Sequence, residues 1–310
     1  MTSTERYRLV TRSDFDGLVC AALLKHLGML DDILFVHPKD VQDGKVELGP
    51  GDVTTNLPYN PDVAISFDHH HSETLRVGSE NANHVIVPGA DSAARVVYEY
   101  YGGAETFPGI EELMEAVDKG DAAQFTLEEI LQPTGWTLLN FLMDPRTGLG
   151  RFREFRISNY QLMMQLIDVC TAMSIEEILQ TPDVKERVDL YRGHAQAAVR
   201  QIQACSDLRD NLVVLDLRDE EIIHPTNRFM VYAVFGEQNI SIHALWGLKQ
   251  QNTVFATGKS IINRTSKTNV GSLMLRYGGG GHEAAGTCQV PNPDADRVRG
   301  ELVERITLDG

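Results

Sequence analysis

The sequence predicts an α/β protein of two domains: an N-terminal domain built on a parallel sheet and a smaller C-terminal α/β domain. Three observations carry this. Over the first hundred residues, short apolar runs alternate with stretches of helical periodicity, the pattern of a parallel sheet with helices on both faces. A helical middle, about 157–206, interrupts the alternation. From about residue 211 strands return in a different rhythm. The 310 residues are enough for two domains of ordinary size.

The elements follow in order. Residues 7–11 (YRLVT) read as a buried strand, and 17–30 carry apolar residues at helical spacing. Residues 33–36 form a second short strand. The stretch 38–51, with Gly, Asp, Lys and Pro, reads as an excursion. Residues 63–67 (VAISF) are a strand that ends on Asp68. Helices are expected at 91–101, 109–119 and 126–144, then at 157–169, 174–180 and 183–206. Strands follow at 211–216, 239–246 and 252–258, a helix at 269–276 leads into a glycine run, and a helix at 293–306 closes the chain. The expected domains are 1–185 and 209–310, joined by a helical linker at 186–208.

Composition excludes several classes. With 42% hydrophobic and 23% charged residues the chain can form cores and is not a disordered tract. No apolar run is long enough for a membrane span, and the N-terminus lacks the pattern of a signal peptide, so a cytoplasmic location is expected. Cys20, Cys170, Cys205 and Cys288 are scattered without a C-x-x-C pair and read as inert thiols. The net charge of −16 argues against long duplex nucleic acid, which needs a basic face. It allows a small anionic substrate, because a bound divalent ion reverses the local field.

Four motifs carry chemistry. Ser13-Asp14-Phe15-Asp16-Gly17 follows a strand and precedes a helix. Two carboxylates two residues apart, at the edge where open parallel sheets bind ligands, suit Mn²⁺ or Mg²⁺. Simple helix capping by Asp accounts for the same pattern. Asp68-His69-His70-His71 again follows a strand, and an acid joined to imidazoles suits Mn, Zn or Fe, with a polar loop as the plain alternative. In Val117–Phe125, Asp118 and Asp121 share a helix face, as bridging carboxylates or as solvated acids. Gly278-Gly279-Gly280-Gly281-His282 is costly to order. Its amides can approach and cradle an anion. Asn263 and Arg264 lie after a strand, where the guanidinium either grips phosphate or is simply solvated. The arginines of 146–156 pose the same choice.

Taken in order, these pieces resemble the DHH phosphoesterase superfamily, from the D-x-D-G turn through DHH and the distal acid to GGGGH. The layout is similar to exopolyphosphatase-like members and to relatives that hydrolyse short oligonucleotides and cyclic dinucleotides. The resemblance implies an N-terminal DHH domain, a helical connection and a C-terminal DHH-associated domain that contacts substrate, with the active site in a cleft between them. It implies metal ligation by Asp14, Asp16, Asn56, Asp68, His69 and Asp121, with Mn²⁺ or Mg²⁺ as one or two ions. It implies substrate contacts from Asn263, Arg264, Gly278, Gly279, Gly280, Gly281 and His282, and it allows a homodimer.

Two positions depart from the family pattern. Arg12 stands where a His or Asp is usual, and Asn56 where Asp is usual. Two unit charges 4 Å apart interact by about 4 kcal/mol at an effective dielectric of 20, so a second ion beside Arg12 is disfavoured. Two readings follow: a hydrolase in which Arg12 replaces one metal and His70 and Arg12 assist the chemistry, or a site that binds phosphate or nucleotide without turnover. The first, a metal-dependent hydrolysis of a phosphodiester or phosphoanhydride in a small or short nucleotide substrate, is the leading expectation.

Overall fold

Arg12 ends a strand that sits at the turning point of a parallel sheet. The computed structural model describes residues 5–78 and 81–310. Along the chain the elements are β1 (Tyr7–Arg12), α1 (Phe15–His26), β2 (Leu30–Val36), α2 (Pro38–Gln42), β3 (Asp52–Thr55), β4 (Ile65–Asp68), α3 (His71–Val77), β5 (His84–Ile86), α4 (Ala93–Tyr100) and α5 (Glu111–Asp121). Then come α6 (Leu127–Leu131), α7 (Gly135–Met143), α8 (Asn159–Val169), α9 (Ile175–Gln180) and α10 (Pro182–Ala204). The remainder is β6 (Ser206–Arg209), β7 (Leu212–Asp216), α11 (Met230–Val234), β8 (Ile240–Trp246), β9 (Thr253–Lys259), α12 (Val270–Leu275), β10 (Gly280–Gly281), β11 (Ala285–Val290) and α13 (Ala295–Asp309).

The chain divides into two compact units. One holds the residues up to Gln124 together with Pro133–Leu190, the other Phe125–Gln132 together with Tyr191–Gly310. The division falls inside α10, so one continuous helix belongs to both. Among the described residues no helix is long and apolar enough to cross a membrane.

In the first unit a parallel sheet runs in the order β2-β1-β3-β4-β5. The chain leaves β1 toward β2 on one side and returns to β3 on the other. The strand order therefore reverses between β1 and β3, and their carboxyl ends form the crevice where open sheets bind ligands. Helix α1 is apolar almost all round, and Leu18, Val19, Cys20, Ala21, Leu23 and Leu24 are fully buried. Such a helix belongs inside a core, which fixes the β1–α1 turn rigidly.

Three sequence expectations change. The stretch 126–144 is not one helix: α6 ends at Leu131 and α7 begins at Gly135, because Pro133 lacks an amide donor and its ring disfavours helix in the preceding residue. Strand β3 (DVTT) follows the excursion and is not expected from the sequence. It is buried throughout yet half polar, so no apolar run marks it. Strand β5 is only three residues long and likewise gives no periodic signal.

The second unit has a mixed sheet, β10-β11-β9-β8-β7-β6, in which only β7 and β8 pair in parallel. Leu212, Ile240, Ile242, Ala244 and Phe255 from the sheet pack with Val270 and Met274 of α12 and with Val298, Leu302 and Ile306 of α13. The four cysteines are unpaired, with Cys20, Cys170 and Cys288 buried and Cys205 half-buried.

Candidate functional site

The site begins where β1 gives way to α1. Asp14 is the N-cap of α1, with Oδ1 accepting from Gly17 N at 3.0 Å. Gly17 is required here: a Cβ would lie 2.0 Å from the Arg12 carbonyl oxygen. The other Asp14 oxygen meets Arg12 Nε at 2.8 Å. Burial pushes the Asp14 carboxyl upward and Arg12 pulls it back. Asp14 is thus both a cap and an ion-pair partner.

Asp16, two residues further, is almost fully buried. It accepts from Ala93 N at 3.1 Å and Ala94 N at 2.8 Å, at the amino end of α4. That end is itself capped by Ser92, whose Oγ accepts from Arg95 N at 2.9 Å, and it favours negative charge. Asp16 also accepts from Asn56 Nδ2 at 2.7 Å. Asn56 follows β3 with φ 55, a left-handed conformation that Asn tolerates better than most residues. Burial, and then the like charge of Asp121, raise Asp16 to about 8 against the pull of His69.

Strand β4 delivers the other half. Asp68 is fully buried. Its Oδ1 accepts from His69 N at 2.9 Å, His70 N at 3.3 Å and His70 Nδ1 at 2.6 Å. His69 Nδ1 meets the Ala90 carbonyl at 3.0 Å. A carbonyl only accepts, so Nδ1 carries the proton and Nε2 presents its lone pair when the ring is neutral. That Nε2 lies 3.0 Å from Asp121 Oδ2, at the end of α5. Burial resists a charged His69, yet Asp121 and Asp16 outweigh it and lift His69 to about 9. Burial likewise works to raise Asp121, but His69 and Arg12 hold it below the usual carboxylate range.

Two ligand groups result, each with atoms within 4.8 Å of one another: Asp16, His69 and Asp121; and Asp68, His69 and His70. His69 belongs to both. Asp14 belongs to neither. Asp118 also lies apart, accepting from Ser92 Oγ at 2.7 Å and pairing with Arg95 at 2.6 Å, so it fastens α4 to α5. The donor set fits a divalent ion. Asn56 Oδ1 and Asp68 Oδ2 are buried without a hydrogen-bond partner, a cost of about 1–3 kcal/mol each unless another partner arrives. Oxygen and imidazole donors so gathered could hold a divalent metal ion. The groups that sequence reasoning missed are the Ala90 carbonyl and the Ala93 and Ala94 amides. Being backbone, they leave no residue signature beyond the Ser-Ala-Ala start of α4.

In the second unit, Asn263 Nδ2 donates to the Glu237 carbonyl at 2.8 Å and Arg264 Nε to the Ile261 carbonyl at 3.0 Å. The glycine run has packing reasons of its own. A Cβ on Gly279 would lie 2.1 Å from Thr287 O, and one on Gly281 (φ 151) would lie 2.3 Å from Ala285 O. Gly278 turns the chain out of α12 with φ 72, while Gly280 has open space around it. His282 is exposed and its amide donates to Ala285 O at 2.7 Å. These residues emerge at the end of the sheet where β9 finishes and β11 begins.

Neither a protein-family model nor a curated protein matches the chain. Among solved structures, a pGpG-specific phosphodiesterase, PggH from Vibrio cholerae, is 61% identical. The match covers 98% of this chain and 100% of that one, with a TM-score of 0.82. CDC45 from Entamoeba histolytica shares the fold at 8% identity, covering 98% of this chain and 95% of that one, with a TM-score of 0.50. RecJ from Thermus thermophilus in complex with Mn²⁺ superposes less closely, at 14% identity over 97% of this chain and 52% of that one, with a TM-score of 0.44.

Proposed function

This chain belongs to the DHH phosphoesterase superfamily and is a hydrolase, and on that premise we propose that it cleaves a linear dinucleotide of the pGpG type with a divalent metal ion. One observation carries the reading: Asp16, His69 and Asp121 bring their ligand atoms within 4.8 Å of one another, in a chain 61% identical to a pGpG-specific phosphodiesterase over nearly its whole length. The kinship with an enzyme favours turnover over binding without chemistry.

Asp16, His69 and Asp121 would hold the ion, with Asp68 and the Asn56 carbonyl oxygen as further ligands. Mn²⁺ or Mg²⁺ in that place would supply positive charge to the phosphate and make a water more acidic. The chain's own groups do the rest. The Ala90 carbonyl fixes the His69 ring, and the Ala93 and Ala94 amides fix Asp16, so the ligands are set before substrate arrives. Asp68 holds His70 through Nδ1, and proton transfer to the leaving 3′-oxygen then runs through Nε2. Arg12, fixed by Asp14, neutralises charge that builds on the scissile phosphate. Water adds to phosphorus as the P–O3′ bond breaks, and pGpG plus water gives two 5′-mononucleotides. Asn263, Arg264 and the 278–282 segment are proposed to contact the substrate.

The test is mononucleotide release from pGpG by purified protein loaded with Mn²⁺, followed by chromatography. Pyrophosphate, polyphosphate and longer oligonucleotides are run in parallel. EDTA and Asp68→Ala are each expected to abolish release. Phosphate release from pyrophosphate or polyphosphate with pGpG left intact would overturn the dinucleotide reading.

A further inference from the structure

The arginines of segment 146–156 take different positions. The guanidinium of Arg156 pairs with Asp183 at 3.6 Å, and its backbone amide donates to Glu186. Arg151 folds over Gly148, where a Cβ would meet its guanidinium. Arg153 is exposed and makes no ion pair among the described residues. Arg146 is tethered just past the end of α7, the helix that packs against Gly120 of α5. Its Nε lies 2.7 Å from Asp144 Oδ1, and its side chain is 44% exposed.

Helix α7 accounts for its place. At the start of α7, Trp136 packs on Phe15 of the β1–α1 turn, with ring centroids 6.1 Å apart. Midway, Asn140 lies so close to Gly120 that a Cβ there would be 2.0 Å from its Nδ2. Gly120 immediately precedes Asp121, so α7 runs along the cluster. Its last turn then delivers Asp144 and Arg146 beyond it.

Two guanidinium groups are therefore held by nearby carboxylates in matching arrangements. Arg12 is tied through Nε to Asp14 at 2.8 Å with 28% of its side chain exposed, and Arg146 through Nε to Asp144 with more exposed. Each tether orients the fork and spends one donor, and the terminal nitrogens make no hydrogen bond among the described residues. A linear dinucleotide with a 5′-phosphate has two anionic groups, the scissile diester and a terminal monoester dianion. We infer that Arg146 binds the terminal 5′-phosphate of the substrate while Arg12 serves the scissile phosphate, so that Arg146 makes the enzyme prefer phosphorylated dinucleotides. This rests on the dinucleotide reading above.

The experiment compares kcat/KM for pGpG and for GpG, which lacks the terminal phosphate, in the wild type, Arg146→Ala and Arg146→Lys. The wild type is expected to favour pGpG. Arg146→Ala is expected to cut that preference by about 10- to 100-fold, the scale of a lost charged hydrogen bond or two, mainly through KM. Arg146→Lys, which keeps the charge without the fork, should recover part of it. An unchanged preference in Arg146→Ala, or a wild type that cleaves both alike, overturns the assignment. If the wild type cleaves neither dinucleotide, the proposed function fails, and calorimetric binding of the same two ligands decides about Arg146. Tighter binding of pGpG that Arg146→Ala abolishes would sustain it, and equal affinities would end it.

Discussion

His69 Nε2 stands 3.0 Å from Asp121 Oδ2 while Nδ1 of the same ring is committed to the Ala90 carbonyl. The two groups meet as ligands converging on a common point would, with Asp16 as the third.

Asp121→Asn keeps the size of that side chain and removes its charge. Mn²⁺ affinity measured by calorimetry should fall by about 10- to 100-fold or more, and turnover of pGpG should fall with it. Asp118→Asn, one turn back, serves as the contrast. It breaks the pairing with Arg95 and is expected to lower Tm while leaving Mn²⁺ affinity near wild type.

The metal-free protein should lose stability as pH rises from about 6.5 to about 9. His69 is raised to about 9 in the fold from 6.5, so its contribution is complete below 6.5 and is lost as pH passes 9. Asp16 is raised to about 8 from 3.8, so the fold also holds that proton after the unfolded chain has released it. Both make the folded state bind more protons across this window, and stability then falls with pH. Melting curves in EDTA at pH 6.5, 7.5 and 8.5 should show a declining Tm, and Mn²⁺ should flatten the decline. A Tm that climbs with pH in EDTA would contradict it.

Asn56→Asp replaces the donor that Asp16 accepts at 2.7 Å with a second carboxylate. Without metal, and above about pH 8 where Asp16 is ionised, this leaves two carboxylates face to face, at a cost of about 1–3 kcal/mol. The metal-free Tm should drop, and Mn²⁺ should restore it by more than it raises the wild type. A metal-free Tm equal to wild type would mean that this contact carries little energy.

Gly281→Ala and Gly280→Ala separate packing from substrate contact in the glycine run. At Gly281 the added methyl meets Ala285 O at 2.3 Å, whereas Gly280 has open space. Gly281→Ala is therefore expected to destabilise the second unit. Gly280→Ala should leave Tm within about 1 °C, because an exposed change away from special geometry moves stability little. Reduced pGpG turnover in Gly280→Ala at unchanged Tm would support a substrate role for the run. Unchanged turnover would confine the glycines to packing.

Much of this molecule was legible in the chain. Apolar runs and periodicity located β1, α1, β4 and, in the second unit, β7, β8 and β9, because each is rich in buried apolar residues. DHH and GGGGH, some two hundred residues apart, pointed to the family, because few chemistries need an acid and paired imidazoles beside a costly glycine run. Other features left no trace. Strand β3 is buried by sheet neighbours on both sides rather than by its own apolarity, and the Ala90, Ala93 and Ala94 backbone groups that fix His69 and Asp16 have no residue code.

By itself the sequence determined the α/β class, the family and the residue types able to hold a metal, since these follow from local pattern and composition. Only the tertiary structure decided which carboxylates converge. Asp14 and Asp16 are two residues apart, yet one goes to Arg12 and the other to His69 and Asp121. Asp118 and Asp121 share a helix, yet one goes to Arg95 and the other to the site. Spacing along the chain sets which way a side chain can face, but the packing of α4, α5 and α7 around α1 sets what it meets there.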